Sequence, residues 1–169
     1  MIRVSLLLAL LAWGGPGCGS EEAAPAAATQ AEPIADHECA SCGMIVREQP
    51  SPRGQLVHRD GTRLFFCSID DLMVYRKAPS PHGAIRAIFV EANDPEADPI
   101  PHDLRPRPWI AAAEAFFVVG APRERIMGPP VLVYAERAAA TRVAERVGGE
   151  AIGWEALDAW LVAEAERPR

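Results

Sequence analysis

Between residues 91 and 108 the chain carries Pro95, Pro99, Pro101, Pro106 and Pro108. Each proline fixes φ and lacks a backbone N–H, so so dense a run fits neither a helix interior nor a central strand. Residues 93–108 therefore read as a linker or long loop, and they divide the folded part of the chain in two. The same order of elements is expected on both sides. Residues 55–58 and 62–66 are β-rich runs flanking Arg59, Asp60 and Gly61, a hairpin signal because glycine accepts positive φ. A helix follows over 68–77, opened by Ser68 with Asp71 three residues later and stopped by Pro79 and Pro81. Ile69, Leu72, Met73 and Arg76 share one face, which makes Met73 a core residue. A strand over 85–90 closes the first unit. Beyond the linker, order resumes at Trp109 and Ile110. Residues 115–119 and 131–134 read as strands, 136–147 as a helix and 151–153 as a short strand. In that helix Ala140, Val143, Ala144 and Val147 share a face, and Gly148 and Gly149 supply the stop. A final amphipathic helix spans 154–166, with Leu157, Trp160 and Leu161 on one side. The expected fold class is α+β: two ββαβ units, 37–92 and 109–169.

The N-terminus reads as an export signal over residues 1–17. Arg3 gives a short positive region and residues 4–13 an apolar one, far shorter than the roughly 20 residues that span a bilayer. Small residues then lead to Cys18, as in a bacterial lipobox, although Gly15 and Pro16 depart from the usual pattern. Acylation of Cys18 would anchor the chain to a membrane. Residues 19–33 are rich in Ala, Pro and Glu and contain no aromatic side chain, so 18–36 is expected to be a flexible tether. The formal charge is −6 with a pI near 5.2, and no basic stripe is present, which argues against a nucleic-acid partner.

Where the tether ends, His37, Cys39, Cys42 and Met44 fall within eight residues. Thiols and thioethers are soft donors and select Cu(I) over Mg, Ca or Mn. Cys42 offers a thiolate and Met44 a neutral thioether that is not readily lost to disulfide formation, and Gly43 leaves the backbone between them free to turn. Further donors would come from Cys39, His37, His58, Cys67 or Met127. Met127 lies in a Gly/Pro loop and not on a helical face, so it has less reason than Met73 to be core. An exported chain with three thiols besides Cys18 also has at least one left unpaired by disulfides.

Two other readings use the same residues. Cys39-x-x-Cys42 is one zinc half-site and Cys67 could be a third ligand, with a fourth to be found among His37, His58 and His82, but no second C-x-x-C and no H-x₃₋₅-H follows, and Met44 would have no role. A C-x-x-C oxidoreductase of the thioredoxin type needs a preceding strand and a helix N-terminus, and neither is expected here. A plain Cys39–Cys42 disulfide is the bland alternative. His58 beside the hairpin turn reads as an exposed side chain, and His82 and His102 lie in Pro-rich loops. No nucleophile–base constellation, P-loop or informative carboxylate pair is present, so the expectation is a carrier and not an enzyme.

The sequence resembles the NosL family, the nitrous oxide reductase accessory lipoproteins. The likeness runs through C-A-S-C-G-M at 39–44, F-F-C-S-I-D-D-L at 65–72, W-I-A-A-A-E-A-F-F-V-V-G at 109–120, M-G-P-P at 127–130 and A-A-A-T-R-V-A-E-R-V-G-G-E at 138–150. It implies two ββαβ units akin to the organomercurial lyase. It also implies a Cu(I)-binding metallochaperone, lipid-anchored at Cys18 on the periplasmic side of a bacterial membrane, the outer one. Such a protein serves assembly of the copper–sulfide centre of nitrous oxide reductase, with a membrane complex of an ABC transporter and a periplasmic β-helix protein. The family's copper donors map onto Cys42 and Met44, and Met127 matches a Met-Gly position in the second unit. Cys39 and Cys67 complete the candidate metal residues.

Overall fold

The computed structural model describes residues 30–50, 52–97, 104–122 and 128–167. Cys18, Met127, His102 and the expected signal peptide lie outside them. The described residues form two antiparallel sheets and three α-helices, an α+β fold.

The first sheet grows from β1 (Gly54–His58) and β2 (Arg63–Phe66). Gly61 at φ 88° turns the hairpin, and the Asp60 carboxylate accepts the Thr62 N–H at 2.8 Å. Helix α1 (Ile69–Tyr75) is shorter than its hydrophobic pattern suggested. Ser68 stands outside as N-cap, its hydroxyl accepting the Asp71 N–H at 3.0 Å. Ile69, Leu72 and Met73 are buried, as their shared face requires. Strand β3 (Ile85–Glu91) pairs with the far side of β1.

Strand β4 (Trp109–Ala111) follows the proline stretch. The sequence reading groups Trp109 with the second unit, but the chain pairs it back onto the first: Glu91 faces Trp109 and Phe89 faces Ala111 across β3 and β4. The sheet order is thus β2-β1-β3-β4. A three-residue strand carries no periodicity from which its sheet could be read, and a buried ion pair holds the chain there. Arg53 and Glu91 are 1% and 0% exposed, with Arg53 Nε and a terminal guanidinium nitrogen 2.6 and 2.9 Å from the carboxylate. The same guanidinium donates to the Arg105 carbonyl at 3.1 Å, and the Arg107 N–H reaches Glu91 at 3.3 Å. The end of the linker is tied to both charges.

The second sheet holds β5 (Phe116–Val119), β6 (Val131–Tyr134) and β7 (Glu150–Gly153) in the order β6-β5-β7. This repeats β2-β1-β3, so the two halves share one topology without shared sequence. Both faces of this sheet are covered, and period-two alternation divides the side chains between them. Val118, Leu132 and Tyr134 pack under helix α2 (Arg137–Val147), against Ala139, Ala140, Val143 and Ala144. Phe117, Val119, Val131 and Val133 point the other way, into a core shared with Leu56, Phe66, Ile69, Leu72 and Val90 of the first unit. Leu157 and Leu161 of helix α3 (Trp154–Ala165) join that core.

Two further expectations change. Residues 30–36, read as the end of a free tether, are docked on the first sheet. Ala31 packs beside Val57 and Phe89, and Ile34 against the shared core. The buried Gln55 amide both accepts from the Glu32 N–H and donates to the Glu32 carbonyl, each at 3.0 Å. A buried amide needs such partners, and the chain's own backbone provides them. His58 is not an exposed side chain but is 1% exposed, with Nδ1 2.9 Å from the Gly83 carbonyl and Nε2 3.3 Å from the Ser80 hydroxyl.

Candidate metal centre

The C-A-S-C-G-M motif folds as a tight loop, closed where the Cys39 N–H donates to the Met44 carbonyl and the Gly43 N–H to the Cys39 carbonyl, both at 2.8 Å. Gly43 holds φ at 76°, a conformation costly for a side-chain-bearing residue. Beyond the motif, Ile45 makes a single bridge with Glu38, and the chain enters a 3₁₀ turn, Val46–Glu48. The loop lies along the free edge of β2. Cys39 bridges Phe65, whose carbonyl accepts the Ala40 N–H at 2.9 Å. The His37 ring stacks on Phe65 at 3.9 Å.

This docking brings the motif over the junction between β2 and α1. Cys67 sits there, between the last strand residue and the N-cap Ser68. The Cys42 and Cys67 sulfurs are 3.4 Å apart. The Cys67 thiol donates to the Asp71 carboxylate at 3.1 Å, and Cys39 Sγ lies 3.7 Å from the same oxygen. The donor atoms of Cys39, Cys42, Cys67 and Asp71 all fall within 4.8 Å of one another. Cys39 and Cys67 are 3% and 2% exposed, whereas Ala40, Ser41, Cys42 and Gly43 form an exposed tip.

The sulfurs differ in acidity. Cys39 is lowered from 9.0 to about 5, chiefly because the Cys67 side chain hydrogen-bonds to it, with backbone N–H groups helping against the opposing effect of burial. Cys67 is pushed upward, first by that same bond, then by burial and by donating to Asp71. The two shifts have one cause: buried sulfurs joined by a hydrogen bond resist ionising together, so the negative charge is favoured on Cys39 and the proton on Cys67.

Asp71 is the residue that sequence reasoning missed. It was read only as the capping partner of Ser68. The signal was present: four residues after Cys67, in the first turn of a helix, its side chain shares the face toward which Cys67 points. Of the expected donors, the fold brings Cys39, Cys42 and Cys67 together. Met44 is half-buried against the same core cluster that contains Cys39 and Cys67. Met127 lies outside the described residues, but its neighbour Gly128 backs onto α1, where a Cβ would overlap the Asp70 side chain. Gly128, at φ 83°, thus lies beside the helix turn that carries Asp71.

Three sulfurs and one carboxylate oxygen make a compact, sulfur-dominated donor set. Such a set suits d¹⁰ cations that accept thiolates and disfavours hard, oxygen-seeking ones.

A family model described as NosL matches residues 30–162. The chain is 31% identical to the copper-binding lipoprotein NosL of Stutzerimonas stutzeri, covering 95% of this chain and 83% of that one. It is 36% identical over 95 residues to the copper-binding lipoprotein NosL of Achromobacter cycloclastes, covering 54% and 48%. Its fold superposes on the crystal structure of the copper chaperone NosL from Shewanella denitrificans with a TM-score of 0.62 at 26% identity, over 75% of this chain and 94% of that one. The family match spans the motif, both sheets and most of α3, and with the identity to the S. stutzeri protein it establishes that the chain belongs to the NosL family.

Proposed function

We propose that this chain is a Cu(I) metallochaperone and not an enzyme. In this reading it is exported, lipid-anchored at Cys18 on the periplasmic side of a bacterial membrane, the outer one, and it supplies copper for assembly of the copper–sulfide centre of nitrous oxide reductase. Its partners are that reductase and the membrane-bound ABC-transporter complex that matures it. Three features support the reading: the sulfur-rich cluster, the export and lipobox pattern of residues 1–18, and the copper-binding names of the relatives.

The carrying observation is the uneven exposure of three sulfurs within one cluster. Copper is cargo here, not a resident cofactor. Cu(I) has no ligand-field demand for a fixed geometry and accepts two to four soft donors, so it can pass between proteins by stepwise ligand exchange. Cys42, at the exposed tip, is the sulfur a donor or acceptor protein reaches first. Cys39 and Cys67 retain the ion from beneath, and Met44 and Met127 are further soft donors within the family pattern. Binding displaces the proton held between Cys67 and Asp71, so affinity falls in acid.

The test is an anaerobic titration of reduced protein with Cu(I) against a chromogenic chelator. One equivalent bound, lost in Cys42→Ser and Cys67→Ser and weakened in Met44→Leu, is expected. Unchanged affinity in both cysteine variants sinks the site. Asp71 favours one second reading, structural zinc, because it provides a fourth donor beside the three cysteines where the sequence offered only His37, His58 or His82. On that reading chelation unfolds the protein; on the carrier reading the metal-free chain stays folded.

A further inference from the structure

We propose that Cys42 and Cys67 form a reversible disulfide when the site is empty, leaving Cys39 as the free thiol of the cluster and locking the site against copper until it is reduced. The regulatory half of this inference rests on the Cu(I)-carrier reading; the pairing itself does not.

A C-x-x-C motif invites the pairing of Cys39 with Cys42, but the fold favours another. The Cys42 and Cys67 sulfurs are already 3.4 Å apart. A disulfide bond is about 2 Å long, so closure asks for a displacement of only about 1.4 Å. Cys42 can make that movement because it sits on the exposed tip. Cys39 is fixed: its N–H and carbonyl close the loop, its backbone bridges β2, and its sulfur lies 3.5 Å from the Cys67 N–H. The bond would also tie segments 25 residues apart, the motif loop and the start of α1.

The chemistry balances with a disulfide-bearing oxidant. The Cys42 thiolate attacks the oxidant's S–S bond, forming a mixed disulfide and releasing one thiol. Cys67 passes its proton to the Asp71 carboxylate, 3.1 Å away, and as the thiolate attacks the Cys42 sulfur, displacing the second thiol. The two electrons end in the oxidant's broken bond, and the two protein thiol protons leave on the released thiols. Bound Cu(I) occupies both sulfurs and blocks the sequence, so loaded protein resists oxidation and empty protein locks. Reduction reverses the exchange.

The experiment treats the metal-free, reduced mature chain with oxidised glutathione, alkylates free thiols and maps peptides under non-reducing conditions. The expected product links Cys42 to Cys67 with Cys39 alkylated, and Cys39→Ser gives the same link. A predominant Cys39–Cys42 link, or glutathione retained on Cys42 without an internal bond, overturns the pairing. Cu(I) titration of the same samples tests the lock: oxidation is expected to weaken binding at least ten-fold, and one equivalent of Cu(I) added first is expected to suppress the cross-link. Equal binding before and after oxidation overturns the lock. If the reduced chain binds no Cu(I), the carrier reading falls, and the peptide map alone decides the pairing.

Discussion

Replacing Glu91 by Gln tests how the two halves of the chain are joined. Glu91 is fully buried and faces a guanidinium that is itself 1% exposed, at 2.6 and 2.9 Å. Glutamine keeps the volume and one acceptor, but it turns an NH₂ toward N–H donors and leaves the Arg53 charge uncompensated. Breaking one side of a buried pair costs about 3–5 kcal/mol, because the remaining ion has no water to replace its partner. For a chain of this size that lowers the melting midpoint by on the order of 10 °C. Urea unfolding followed by tryptophan fluorescence is the assay, and Trp109, opposite Glu91 in the strand register, is a well-placed reporter. The midpoint should fall with an unchanged slope, since the surface exposed on unfolding is the same. Arg53→Met combined with Glu91→Leu should cost less than the sum of the two single changes, because neither charge is then left alone. A loss below about 1 kcal/mol in Glu91→Gln would refute the reasoning: the pair would then be solvated, and something else would hold β4 to the first sheet.

Three further changes probe the site and its supports. Gly54→Ala places a Cβ into the Leu72 side chain, itself fully buried, so overpacking should cost about 1–3 kcal/mol by urea midpoint. Ser68→Ala removes the N-cap of a seven-residue helix, which should cost about 0.5–2 kcal/mol and also weaken Cu(I) binding, because that cap orients Asp71 beneath Cys67. Cys39 is lowered when folded, so its thiolate stabilises the reduced apoprotein above the unfolded value of 9.0, and the contribution fades as pH falls toward about 5. Denaturation midpoints should therefore decline from pH 9 to pH 5, and Cys39→Ser should flatten that slope; an equally steep slope in the variant would locate the effect elsewhere.

The elements were legible because most of them declare themselves locally. Asp60 and Gly61 mark the hairpin, Ser68 and Asp71 the start of α1, and Ala140, Val143 and Ala144 the buried stripe of α2. β5 and β6 also read as strands, but their sequences do not say which face meets which core. Both faces are apolar, and only the position of α2 on one side and the first sheet on the other divides them. Trp109–Ala111 and residues 30–36 were misplaced for the same reason: they are short, and partners far along the chain hold them. Glu91 and Arg53 secure the first, Gln55 the second.

The soft-donor chemistry was fixed by composition at Cys39, Cys42 and Met44, because no folding is needed to know what a thiolate or thioether will bind. How those donors are grouped was not. Cys67 lies 25 residues beyond Cys42, and only docking of the motif loop on the open edge of β2 brings their sulfurs to 3.4 Å. The same docking exposes Cys42, buries Cys39 and places Asp71 under all three sulfurs. A sequence states which donor atoms a chain owns; distance and access to water belong to tertiary packing, because they arise from contacts between segments that the order of residues does not make neighbours.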